Sequence, residues 1–94
     1  MITLIARIKS KSGKENELRE ELLALVSPAR AEKGCIEYIL HTVEGDPSSF
    51  LFYETWKDQE AFDAHVKTEI QIAFSKKKAA LADGDFEVVF LRKL

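Results

Sequence analysis

The stretch Phe52-Tyr53-Glu54-Thr55-Trp56 decides the reading of this chain, with His65 nine residues beyond the tryptophan and Gly34-Cys35-Ile36-Glu37-Tyr38 upstream. In a strand, residues two apart share a face, so Phe52, Glu54 and Trp56 project together. A carboxylate between two aromatic side chains, feeding a helix that carries a lone histidine, is how a small pocket is built. It is equally how an ordinary core is built. The strand is read from Phe50 to Trp56. Upstream, Cys35 to about Val43 is rich in β-branched and aromatic residues, and Glu44-Gly45-Asp46-Pro47-Ser48 is a turn by composition, so the two strands run antiparallel.

Outward from this hairpin the periodicities change. Ile2, Leu4, Ala6 and Ile8 alternate with Thr3, Arg7 and Lys9, the two-residue period of a strand with one packed face. Ser12-Gly13-Lys14-Glu15 has the form of a capping box, and Leu18, Leu22, Leu25, Val26 and Ala29 then make the apolar stripe of a helix. Pro28 within that stripe predicts a bend or tightened turn near Leu25, in one helix, with Gly34 as the stop. Beyond Trp56, Asp58 is placed to cap a short helix on which Phe62, His65, Val66 and Glu69 share a face. A further helix is expected from Ile70 to Leu81, ended by Gly84, and a last strand from Phe86 to Leu91.

The order strand, helix, strand, strand, helix, strand is the split βαβ arrangement, an α+β ferredoxin-like sandwich with a four-stranded antiparallel sheet and helices on one face. Phe86, Val88, Val89, Phe90 and Leu91 are apolar on both faces of the last strand, so the second face of the sheet needs a cover. Two such sheets face to face supply it, which predicts a homodimer. With 94 residues and 46% hydrophobic content, residues 1–94 are read as a single domain small enough to gain from sharing a core.

The charge balance of 14 basic and 16 acidic residues offers no extended positive field, which argues against nucleic acid as a partner. Lys76-Lys77-Lys78 is read as a solvated helix face. No segment approaches a membrane span and the amino end alternates where a leader would run, so no membrane is expected and a cytoplasmic location is. Cys35, the only cysteine, allows no intrachain disulfide and no thiolate metal cluster, and is read as a small half-buried residue. No metal is expected, since His65 and Glu69 on one helix face are too few ligands.

Gly34-Cys35-x-x-Tyr38, Tyr53-Glu54-x-Trp56, an acidic helix start, His65 and then Phe74 together resemble the antibiotic biosynthesis monooxygenase domain over nearly the whole chain. The resemblance implies a dimeric α+β barrel with one pocket per subunit between sheet and helices. Members include cofactor-independent oxygenases of polycyclic phenols or quinols, haem degraders and a signal-molecule isomerase. Ala6, and Phe74-Ser75, stand where haem degraders carry an asparagine and a ligand histidine, which disfavours that activity. Ile70 stands where many quinol-oxidising relatives carry a second histidine, which removes a two-histidine relay.

The candidate site follows. His65 is the candidate base, because imidazole titrates near neutrality, and alternatively a packing histidine. Trp56 either stacks on a flat substrate and donates its N–H to a substrate oxygen, or anchors the strand-to-helix corner. Glu54 either holds the His65 ring in one tautomer or pairs with a cation across the dimer. Tyr38 and Tyr53 can orient a phenolate, and Phe52, Phe62 and Phe74 can line a flat slot; all five are otherwise core or interface. The leading function is oxidation of a small phenolic or quinol substrate by dioxygen with no cofactor, the substrate supplying the electrons. The alternatives are a dimeric small-molecule-binding module, and an isomerase of a small phosphorylated signal that needs Arg7, Arg92 and Lys93 in its pocket.

Overall fold

The structure, a computed structural model, describes residues 1–94. Its elements are β1 (Ile2–Lys9), α1 (Glu15–Arg30), β2 (Cys35–Val43), β3 (Asp46–Trp56), α2 (Gln59–Val66), α3 (Glu69–Leu81) and β4 (Glu87–Leu91). The four strands form one antiparallel sheet in the order β2-β3-β1-β4, the α+β ferredoxin-like arrangement. The register places Tyr38, Glu54, Leu4 and Phe90 in one row across the sheet, and Leu40, Phe52, Ala6 and Val88 in the next row on the same face.

That face is covered by the helices, with α1 packed on β2 and α3, and α2 on β3. The α1 stripe of Leu18, Leu22, Leu25 and Ala29 is buried against Leu4, Ile8, Phe50, Phe52 and Trp56. Burial of such side chains stabilises the fold by about 1.5–3 kcal/mol each. No helix is long and apolar enough to cross a membrane.

Several local expectations change. Lys14, not Ser12, is the cap residue of α1 and makes no side-chain cap bond; the Glu15 carboxylate instead accepts from the Gly13 N–H at 3.0 and 3.1 Å. As expected, α1 is one helix through Pro28. The β2–β3 turn is only Glu44-Gly45, with Gly45 at φ +81°, and Asp46 already opens β3. The Ser49 and Ser48 hydroxyls donate to the Asp46 carboxylate and hold it below the usual carboxylate range. α3 ends at Leu81 as expected, but its cap residue is Ala82, not Gly84.

Gly34 is needed for a different reason from the one expected. It is not in the left-handed region, but a Cβ there would lie 2.2 Å from the Ala61 Cβ. The loop before β2 and helix α2 touch at that glycine, and the Lys57 N–H donates to the Gly34 carbonyl at 2.8 Å.

The largest departure is β4. Expected to be buried on both faces, it is an edge strand in the single chain, and all five of its residues are exposed. The helices reach only as far as Phe86 beside Phe74, and Phe90 beside Phe62.

Candidate functional site

Asp58, extended and capping α2 through a 2.8 Å bond from the Ala61 N–H, turns the chain directly after Trp56 so that α2 lies over the end of β3. This brings His65 down onto the covered face, where it is the one fully enclosed residue of its helix. Its ring lies 4.4 Å from the Trp56 ring and 5.4 Å from that of Tyr38, centroid to centroid. The corner into α3 is tied by Thr68, whose hydroxyl donates to the His65 carbonyl at 3.0 Å and accepts from the Gln71 N–H at 3.4 Å. Glu69, expected to share a helix face with His65, starts α3 instead and is exposed.

His65 stands between two carboxylates. Its Nδ1 is 2.8 Å from Glu32 Oε2, and its Nε2 is 4.0 Å from Glu54 Oε1. Glu54 is buried on the helix-covered face and accepts a 2.9 Å bond from the Trp56 indole N–H. Burial raises the Glu54 carboxyl above its usual range, against the pull of the indole bond and of His65. Burial, and then the Glu54 charge, push the Tyr38 phenol far up, so Tyr38 stays protonated. Cys35 is raised by burial first and by Glu32 next, which disfavours its thiolate.

An apolar cavity of about 90 Å³ opens beside these groups, lined by Leu4, Ala6, Tyr38, Phe52, Glu54, Phe62, His65, Val66, Gln71, Phe86 and Val88. Of the residues singled out in the sequence, His65, Glu54, Tyr38, Phe52 and Phe62 meet there. Trp56 is fully buried behind them and commits its N–H to Glu54, so it anchors the carboxylate rather than presenting a donor to the cavity. Tyr53 is corrected by strand parity: it pairs with Ile5 and Ile39 on the opposite face of the sheet and lines a separate hollow there with Thr3, Leu91, Arg92 and Lys93. Phe74 packs in the core against Phe86 and does not line the cavity. None of Arg7, Arg92 and Lys93 lines it either. No group of three or more His, Cys, Asp or Glu side chains is arranged to hold a metal ion.

Two participants escaped the sequence reading. Glu32 lies in the loop after α1, 33 residues before His65, and no periodicity links them. Gln71 follows Ile70 in the first turn of α3.

The comparisons with known proteins agree with this fold. A protein of known structure, PA3566 from Pseudomonas aeruginosa, superposes with a TM-score of 0.94 at 39% identity, covering 99% of this chain and 93% of that one. The Bacillus subtilis protein named "Putative monooxygenase YcnE" is 36% identical over 95% of this chain and 94% of its own length. The protein sll1783 of Synechocystis, uncharacterized by name, is 34% identical over 93% of this chain, which spans only 59% of that protein. The family model described as antibiotic biosynthesis monooxygenase matches residues 1–77, leaving β4 outside the match. The chain belongs to the antibiotic biosynthesis monooxygenase family and is a monooxygenase-like member of it.

Proposed function

We propose that the protein is a small cofactor-independent monooxygenase that oxidises a phenol or quinol with dioxygen. The observation that carries this reading is His65, held at Nδ1 by Glu32 with Nε2 on the Glu54 side, at the wall of an apolar cavity. With Nδ1–H donating to Glu32, Nε2 keeps its lone pair and acts as the base for the substrate hydroxyl. The imidazolium so formed lies between two carboxylates, which favours the proton transfer. Glu32 borders a polar, solvent-facing hollow with Lys33, Lys57 and Asp58, so the proton has a way out that does not wet the cavity.

The Tyr38 hydroxyl donates to the oxyanion, Phe52 and Phe62 enclose the ring, and Trp56 positions Glu54. The substrate supplies the electrons. For a phenol bearing hydrogen at the oxidised carbon, one oxygen atom becomes the new carbonyl and the other leaves as water. The ring gives up four electrons, and no outside reductant is used.

The reading includes a homodimer, with residues 1–94 acting as one domain. It is supported by the uncovered sheet face, where Ile39 is 38% and Val89 41% exposed beside Ile5 and Tyr53. It includes a cytoplasmic location, in keeping with one free, half-buried thiol.

The test is oxygen uptake with a panel of hydroquinones and phenols, using metal-free and flavin-free protein beside His65→Ala. The wild type is expected to consume oxygen, and the variant to lose about 10²-fold or more of that rate. No uptake above autoxidation across the panel would transfer the site to a binding module without turnover.

A further inference from the structure

Gln71 is the one polar cavity residue that the proposed chemistry leaves unused. Its Nε2 is buried and meets no acceptor in hydrogen-bonding geometry, although the side chain lies by the Tyr38 hydroxyl and favours its ionised form. A buried amide donor without an acceptor costs about 1–3 kcal/mol, so a site that keeps one is satisfied by something that enters it. The backbone that carries this donor is also held in place. Through its two bonds, the Thr68 hydroxyl sets the backbone of Gln71 against that of His65.

The cavity limits what can enter. A dry cavity on the order of 150 Å³ accepts one benzene ring. At about 90 Å³ the space here suits a single ring only as the mouth yields at Val66, which is 48% exposed, and it does not suit a fused polycycle.

We propose that Gln71 is a specificity-determining residue that donates its Nε2–H to an oxygen of a bound single-ring aromatic, in the cavity it shares with His65 and Tyr38. This rests on the reading of that cavity as an aromatic site. It narrows the substrate class to one-ring phenols or quinols and adds a recognition contact outside the proton-transfer pair. A site built to hydrogen-bond an oxygen discriminates against the analogue lacking it, because the buried donor is then left unpaired.

The experiment titrates the wild type with phenol and with toluene, which matches phenol in size but lacks the oxygen. The indole N–H resonance of Trp56, the only tryptophan, serves as the reporter behind the cavity. Gln71→Leu and Gln71→Glu are titrated beside it, the second replacing the donor by an acceptor should the first fold poorly. The expected result is that the preference for phenol over toluene falls about three- to tenfold in both variants while toluene still binds. An unchanged preference would overturn the proposal and leave water as the acceptor of Gln71; failure of either ring to shift the resonance would overturn it as well. Ring binding with the altered preference but no oxygen uptake sinks the oxygenase reading alone. Oxygen uptake with an unchanged preference sinks the role of Gln71 alone.

Discussion

The two faces of the sheet are built from alternate residues of the same strands and have opposite fates. On the covered face the row Tyr38, Glu54, Leu4 is enclosed, with none of the three above 4% exposed. One residue along, the row Ile39, Tyr53, Ile5, Val89 lies open. The covered face contains the buried ionisable groups, Tyr38, Glu54 and His65, because only there do the helices exclude water, with Glu32 of the loop after α1 and the Trp56 N–H of β3 as partners. The bare face offers apolar area and a threonine row, Thr3 and Thr55, with Glu37 donated to by the Thr55 hydroxyl at 3.1 Å. In the proposed reading, chemistry belongs to the first face and association to the second.

Substitutions test this division. The largest stability effect belongs to the covered side: Leu22→Ala removes a fully buried side chain of α1 and is expected to cost about 2–5 kcal/mol in denaturant unfolding. A loss under 1 kcal/mol would mean that α1 is not seated as described. Gly34→Ala follows, at about 1–3 kcal/mol, because its Cβ drives against Ala61 and displaces the helix that carries His65; its oxygen uptake should fall together with its stability.

Glu54→Gln sharpens the comparison through pH. Since burial raises the Glu54 carboxyl in the folded state, its contribution to stability is full below the unfolded carboxylate range and is lost as pH rises through the folded value. The variant, whose amide oxygen still accepts from Trp56, is therefore expected to melt higher than the wild type at neutral pH. It should lose that advantage in acid, as thermal melts across pH would record. An advantage that grew in acid would reverse the assigned direction.

The smallest effect on the fold of the single chain is expected from Val89→Asp on the bare face, within about 0.5 kcal/mol once dissociation is accounted for. Sedimentation should instead show its self-association gone. A variant that stayed dimeric would move the interface away from this face.

Periodicity carried most of the fold because it reports which face of each element is buried. The α1 stripe and the alternation of β1 were legible for that reason, and the Asp58 cap because its geometry is local. Strand parity places Glu54 with Phe52 and Trp56, and applied to Tyr53 it argues for the other face, away from the site. The fate of the Trp56 N–H was not legible, since it depends on a side-chain torsion two residues away. Glu32 was hidden more deeply: its 2.8 Å contact with His65 is made by a loop docking on a helix, and nothing local encodes it. β4 lies open in the single chain for a physical reason, because an apolar sequence states that a strand wants cover without saying whose atoms provide it.

The contact between Gly34 and Ala61 has a consequence for how this sequence can vary. Two positions 27 residues apart share a space that holds one methyl group, so they are coupled and their substitutions are not additive. Ala61→Gly should rescue much of the damage done by Gly34→Ala, while alone it costs only the roughly 1 kcal/mol of a glycine within a helix. A larger residue at either place has no such remedy. Drift in this chain is thereby confined to moving the methyl group from α2 to the loop, a path that passes through two small residues and leaves the seat of His65 intact.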